Sequence, residues 1–284
     1  MISRGSKITI IGLGLLGGSY AKGLAHAGYQ ITGIDIDPEA IAFAKRLNWI
    51  VEGGDDVNLV KDSDIVISAL YPQTFINWIK ENQHLLKEGS ILTDVTGIKK
   101  EVVSQINEIL RDDVEFIACH PMAGREFKGI QYADPHLFEV ANYIVVPTEK
   151  NTERGIEVAH DIAKLLKFHN VATLSAEEHD LMIGFLSQLT HVIAVSLMNV
   201  NDNTHLAEYT GDSFRDLTRI ARINEDLWPE LFIMNKDNLI KEIDNFTDEM
   251  KSFRDLLEKE DFEAMREKLI TSTERRKAFE KKKV

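Results

Sequence analysis

Gly12-Leu13-Gly14-Leu15-Leu16-Gly17-Gly18-Ser19 fits the pattern G-x-G-x-x-G. It directly follows an apolar run, Lys7–Gly12 (KITIIG), that reads as a buried strand. It also opens a helical pattern over Leu15–Ala27 that stops at Gly28. Glycines serve ordinary tight turns as well, so the pattern takes its meaning from this strand–loop–helix context. Gly12 permits the turn, Gly14 lets the backbone approach a pyrophosphate, and Gly17 allows close helix–strand packing. The helix start offers free N–H groups and the positive end of a dipole to phosphates. Asp35 closes a second strand pattern, Gln30–Asp35 (QITGID), near the spacing expected of a carboxylate that binds adenine-ribose hydroxyls. A 2′-phosphate would meet like charge there, so NAD is expected over NADP. The expected cofactor contacts are Gly12, Gly14, Leu15, Leu16, Gly17 and Asp35, with Ser68 on a later strand.

Outward from this loop the alternation continues. Pro38 stands at a helix start, and Asp64–Leu70 (DIVISAL) reads as a fully buried strand before Pro72 and another helix. Ser90–Thr93, a helix from about Ile98 to Leu110, and Val114–Cys119 follow. Asn142–Val146 and Val171–Leu174 are two more strand patterns, around a helix over 152–167. Repeated βα units predict an α/β domain with a doubly wound, mostly parallel sheet covered by helices. After Ser175, which begins a capping box (Ser-Ala-Glu-Glu), strand signals vanish and helical patterns run to the C-terminus. The expected domains are therefore 1–175 and an all-α 176–284.

The chain has 284 residues, 44% of them apolar, enough for a large core. Lys plus Arg is 33 against 46 Asp plus Glu, a formal net charge of −13. That surface argues against nucleic acid and anionic lipid as partners. The basic tail, Arg275-Arg276-Lys277 and Lys281-Lys282-Lys283, reads as a solvated helix end. Cys119 alone offers neither an intrachain disulfide nor a Cys-based zinc site, which fits a reducing cytoplasm, and no metal is expected. No signal peptide is read at the N-terminus. Leu181–Asn201 has no formal charge and is about long enough to cross a bilayer. Ser187, Gln188, Thr190, His191, Ser196 and Asn199 interrupt it, so it is expected to be a buried core helix and not a membrane span.

Candidates for chemistry lie beyond the loop. His120, in His120-Pro121-Met122-Ala123-Gly124, follows a strand and stands at its carboxyl end, where open α/β sheets bind ligands. An imidazole there can take a proton from a substrate hydroxyl as hydride leaves the carbon. Cys119 reads as a small buried residue. Ser187, Gln188 and His191 share a helix face at i, i+3 and i+4 spacing, a polar strip on an apolar helix. Phe214–Arg222 holds Arg215, Arg219 and Arg222, and whichever faces the cleft suits a carboxylate.

In order and spacing, GLGLLGGS (12–19), HPMAG (120–124), His191 in its apolar helix and FRDLTRIA (214–221) with Trp228 downstream resemble the prephenate dehydrogenase family over nearly the whole chain. The resemblance implies a Rossmann-type nucleotide domain and an all-helical dimerisation domain, hence a homodimer, with no room for a C-terminal ACT domain. It implies His120 as the catalytic base and Arg219 as the carboxylate-binding arginine. Ser187 and His191 would line the substrate pocket, Glu126 would stand at its entrance, and Trp228 would be presented to the partner subunit's site. Two departures stand out. In Asp94-Val95-Thr96-Gly97-Ile98-Lys99 the family's usual serine is replaced by Gly97, and Thr96 offers a hydroxyl from the neighbouring position. The family's glycine-rich stretch is reduced to Gly211-Asp212-Ser213, which puts Asp212 where an anionic substrate is expected.

The implied reaction is NAD-dependent oxidative decarboxylation of prephenate to 4-hydroxyphenylpyruvate in tyrosine biosynthesis. Arogenate is the closest rival substrate. A β-hydroxyacid dehydrogenase is a second rival, but that family relies on a lysine in its helical domain and the uncharged 181–201 segment has none. A non-catalytic NAD-binding protein of the same fold is the third.

Overall fold

The computed structural model describes residues 2–125 and 127–279. Glu126 and the basic residues Lys281, Lys282 and Lys283 therefore lie outside the described residues. The described strands are β1 (Ile8–Ile11), β2 (Ile31–Ile34), β3 (Glu52–Gly54), β4 (Ile65–Ser68), β5 (Ile91–Asp94), β6 (Glu115–Pro121), β7 (Asn142–Val146) and β8 (Asn170–Thr173). They form one eight-stranded sheet in the order β3-β2-β1-β4-β5-β6-β7-β8. All neighbours are parallel except β6 and β7, where His120 pairs with Ile144. The order reverses direction between β2 and β4 around β1, which leaves a crevice at the carboxyl ends of β1 and β4.

Helices cover both faces of the sheet. On one face α1 (Leu15–His26) and, further along the chain, the helix Glu153–Leu165 bury Leu24, Val158 and Ile162 against Ile10, Ile67 and Ile117. On the other, α3 (Pro72–Asn82) and α4 (Lys100–Ile109), which follow α2 (Pro38–Arg46), bury Phe75, Ile76, Ile79, Val102 and Ile106 against Ile11, Val66 and Leu92. Strands buried on both faces need apolar residues at nearly every position, as β1 and β4 show. The helix Glu153–Leu165 is α5, capped by Thr152.

Strands give way to helices where expected. Ser175 and Glu178 form a reciprocal capping box that opens α6 (Ala176–Ile183). The chain then makes a π-helical turn over Gly184–Leu189 before α7 (Thr190–Asn199). Short helices α8 (Leu206–Tyr209) and α9 (Asp212–Thr218) lead to a 3₁₀ turn, Arg219–Ala221, and α10 (Leu227–Met234). By packing, the chain forms two units, one ending at Lys236 and one beginning at Asp237. In the second unit, α11 (Lys236–Glu258) and α12 (Phe262–Lys277) are joined by a tight turn in which Glu260 takes a positive φ of 55°. Lys268 and Glu249 pair across them at 2.6 Å.

The uncharged helix differs from its expectation. The continuous stretch Ala176–Asn199 is long and apolar enough to cross a membrane, and only 28% of its most apolar window is buried within this chain. Leu181, Phe185, Leu186 and Met198 are exposed, so its apolar face is not covered by the chain's own core.

Candidate active site

Gly12 has φ +88°, and a Cβ there would stand 2.9 Å from the Ala69 carbonyl oxygen. A Cβ on Gly17 would stand 1.8 Å from the Gly12 carbonyl oxygen, so no side chain fits where α1 crosses the loop. Gly14, by contrast, would meet nothing within 4 Å. It is the N-cap of α1, and no side chain caps that helix end. The space over Gly14, open and facing uncapped amides, fits a pyrophosphate. Asp35 follows β2 immediately, and its Oδ2 accepts the Leu13 amide at 2.5 Å while Oδ1 accepts the Asp37 amide at 2.8 Å. The loop thus fixes the carboxylate, and lone pairs remain on it for ribose hydroxyls. These residues fit a dinucleotide.

Gly14, Leu15 and Leu16 line one end of a cavity of about 940 Å³, with Ala69–Pro72, Val95–Gly97 and His120–Gly124 beside them. Ser68 does not line it. As the last residue of β4 its side chain points into the protein, fully buried, with its hydroxyl unpartnered among the described residues. The expectation of a Ser68 cofactor contact is corrected: the residues of that segment that reach the cavity are Ala69, Leu70, Tyr71 and Pro72.

His120 is half-buried at the carboxyl end of β6. Its Nδ1 lies 2.8 Å from His179 Nε2. His179 Nδ1 lies 2.6 Å from Asp180 Oδ1. Asp180 Oδ1 also accepts the Lys99 amide at 2.8 Å, and Oδ2 accepts the Lys100 amide at 2.9 Å. Asp180 thereby caps the N-terminus of α4, where the helix dipole favours an anion. A second buried pair braces the same corner. Lys99 Nζ meets Asp94 Oδ2 at 2.5 Å with both side chains fully buried, and Asp94 Oδ1 accepts the Cys119 amide at 3.0 Å. Burial, His179 and the Lys99 charge together hold the His120 imidazole well below its usual pKa, so it is neutral near pH 7. Burial depresses His179 too, against the raising effect of its hydrogen bond to Asp180.

A Cβ added to Gly97 would stand 3.7 Å from His120 Nε2. That places the missing serine's position beside the base. Thr96 does not substitute for it. Its hydroxyl hydrogen-bonds Asp94 and accepts from Lys99 Nζ at 2.9 Å, so it is engaged within the buried pair.

On the helical side, Ser187, Gln188, His191, Arg219, Arg222 and Trp228 all line the cavity. The π turn sets the polar strip. His191 donates from Nδ1 to the Ser187 carbonyl at 2.8 Å and packs on Trp228 with ring centroids 3.8 Å apart. Gln188 is tied down structurally, donating to the Leu231 carbonyl at 2.7 Å and accepting from Asn235 at 2.8 Å. Trp228, expected at a partner subunit's site, lines the cavity of its own chain because α10 packs it against His191. Of the three arginines, Arg215 lies outside the cavity and pairs with Asp212 at 2.6 Å. That pairing offsets the acidic charge of Asp212, which does not line the cavity either. His179, Asp180 and Lys99 were not singled out from sequence.

Residues 20–172 match the family model described as prephenate dehydrogenase, nucleotide-binding domain, and residues 175–271 match its dimerization domain. The chain belongs to the prephenate dehydrogenase family. It is 32% identical over 268 residues to the prephenate dehydrogenase of Bacillus subtilis, covering 90% of this chain and 71% of that protein. It is 26% identical over 281 residues to the cyclohexadienyl dehydrogenase of Zymomonas mobilis, covering 96% and 95%. A crystal structure of prephenate dehydrogenase from A. aeolicus, in complex with hydroxyphenyl propionate and NAD+, superposes with a TM-score of 0.88 at 30% identity. It covers 97% of this chain and 98% of that one. The family and the doubly wound fold with a helical C-terminal part are as the sequence indicated, and the chain is an oxidoreductase of this family.

Proposed function

We propose that the protein catalyses the NAD-dependent oxidative decarboxylation of prephenate to 4-hydroxyphenylpyruvate and CO₂. The observation that supports it is a neutral, half-buried His120 whose Nε2 side faces a cavity lined by both the glycine loop and Arg219. When bound, NAD supplies the hydride acceptor. Gly12, Gly14, Leu15, Leu16, Gly17 and Asp35 would hold it. His120 takes the proton of the ring hydroxyl as the carbinol carbon is oxidised, and returns it to the phenolate oxygen once CO₂ has left. The base ends in the state in which it began, and aromatisation drives the loss of CO₂. Arg219 binds substrate carboxylate through its guanidinium fork, with Arg222 also on the wall. Ser187, His191 and Trp228 shape the ring's pocket, and Glu126 belongs to its entrance on the family resemblance alone.

Arogenate, with an amino group in place of the keto group, is the second reading, and the Zymomonas relative's name keeps it in view. The same proposal divides the chain into a nucleotide domain, 1–175, and a substrate and dimerisation domain, 176–284. The exposed apolar side chains of α6, the π turn and α7 support a homodimer through that second domain. Buried Cys119 supports a reducing, cytoplasmic location. The test is NADH formation with prephenate, arogenate and a panel of hydroxyacids. Turnover with prephenate is expected, and turnover confined to arogenate or to a hydroxyacid overturns the assignment.

A further inference from the structure

We infer that His179 and Asp180 are positioning residues that lock the His120 proton on Nδ1 and thereby make Nε2 the basic atom. The inference rests on the function proposed above for its kinetic arm, and on hydrogen-bond counting alone for its structural arm.

The count starts at Asp180. Backbone amides only donate, and one reaches each carboxylate oxygen, Lys99 N on Oδ1 and Lys100 N on Oδ2. Both oxygens are therefore acceptors. His179 Nδ1, 2.6 Å from Oδ1, must carry a proton to meet it. A neutral imidazole has one N–H, so His179 Nε2 is a lone pair. His120 Nδ1 faces that lone pair at 2.8 Å and must donate to it. By the same rule His120 Nε2 is left unprotonated, on the side of the ring where Gly97 leaves room. The buried Lys99–Asp94 pair stands beside the relay, and the Lys99 charge opposes protonation of either ring. Glu178 is the neighbouring acid on α6, but it is engaged with Ser175 in the capping box. Asp180 thus sets two tautomers in series through one intervening ring.

In the reaction the substrate O–H bond breaks and an N–H bond forms at Nε2. The pair left on oxygen becomes the carbonyl bond as the carbinol C–H bond breaks, and its hydride would pass to NAD, which is reduced. His120 is then cationic, and its Nδ1–H bond to His179 strengthens because the donor is charged. The Asp180 carboxylate lies one ring further along the same line. The relay does for a hydride-transfer base what a carboxylate-oriented histidine does in acyl transfer, where loss of the orienting acid costs about 10⁴-fold by populating the wrong tautomer.

Two measurements test this. In ¹⁵N-histidine-labelled full-length protein at pH 8, with the His120 signals identified by their absence in His120→Asn, Nδ1 should be of the protonated type and Nε2 of the bare type. The reverse assignment overturns the inference whatever the substrate proves to be, and the expected assignment stands even if prephenate is not turned over. In the kinetic arm, His179→Ala should lower kcat by about 10- to 10³-fold, with NAD affinity and substrate KM within about threefold of wild type. Adding His120→Asn to His179→Ala should cost no more than His120→Asn alone, since groups that act as one unit are not additive. Multiplying losses, or an unchanged kcat in folded His179→Ala, would overturn the relay. Should that variant fail to fold, His179→Gln serves, because its amide oxygen can accept the same proton. It should keep the His120 tautomer and a measurable kcat, and a reversed tautomer in a fully active His179→Gln refutes the inference equally.

Discussion

At the cofactor end of the cavity the chain presents main chain, and at the base end it presents side chains. The loop's geometry comes from Gly12, Gly14 and Gly17, close neighbours in sequence, and it works because side chains are missing. The base end is assembled from Asp94 and Lys99, His120, and His179 and Asp180, segments brought together by β5, β6 and α6. It works because these side chains pair with one another, Lys99 with Asp94, His120 with His179 and His179 with Asp180, leaving His120 Nε2 bare. A backbone site should be indifferent to the loss of a distant side chain. A paired site should fail whenever one partner goes.

The largest effect expected is on the base. His120→Asn should cut kcat by about 10²–10⁴-fold while NAD affinity holds, since nothing in the loop touches it. Steady-state kinetics beside a NAD titration and a melting curve will show it. A folded variant with near-normal kcat, or one that loses NAD binding in parallel, removes the division between the two ends.

Next is the brace beneath the base. Lys99→Met leaves Asp94 buried and unpaired, which should cost about 3–5 kcal/mol of stability. Urea unfolding reads this directly, and a loss below about 1 kcal/mol would mean the pair is dispensable packing. At the cofactor end, Asp35 should favour NAD over NADP by about 10- to 150-fold in kcat/KM, the worth of losing charged hydrogen bonds. Asp35→Asn should narrow that ratio and leave the His120 chemistry alone. Equal kcat/KM for the two cofactors in wild type would sink the role given to Asp35.

The smallest effect is the pH dependence of folding. His120, His179 and His191 all have lowered folded-state pKa values, mainly through burial. Above about pH 6.5 these rings are neutral in both folded and unfolded chains, and their contribution is fully present. As pH falls below that value the unfolded chain binds protons that the folded one refuses, so stability declines, by at most about 1.4 kcal/mol per pH unit per ring. Carboxylates lowered in the fold, such as Asp64 and Asp134, act at more acid pH. Urea midpoints between pH 7.5 and 5 should therefore drop, and less steeply in His179→Ala. A flat wild-type profile over that range contradicts neutral burial.

The same contrast explains what could be read from the sequence. The loop, Asp35 and the strand–helix alternation were legible because their signals sit within a few residues of one another. The strand β3 was not, since Glu52-Gly53-Gly54 has neither apolar alternation nor β-branched residues. His120 could be placed at a strand end. Its partner His179, 59 residues away, could not be linked to it by any periodicity. Ser68 was misplaced, and the Thr96 hydroxyl, though Thr96 lines the cavity, could not be seen to be engaged, for a related reason: a hydroxyl's position in a chain says nothing about which buried group already holds it. The exposure of the 176–199 helix was hidden too, because an apolar face reads the same whether its own core or another surface is to cover it.

The π turn over Gly184–Leu189 has a consequence for how this helix can change. A π turn is an α-helix holding one residue too many, and it rotates everything after it by about 100° relative to what precedes it. Deleting one residue there would restore an unbroken α ladder and a more regular helix. It would also swing His191 off the cavity wall and carry the face of α7 around with it. In the currency of insertion and deletion, the site's polar edge is written as a length, and a shortened chain with every one of its side chains intact would be a sounder helix and a poorer pocket.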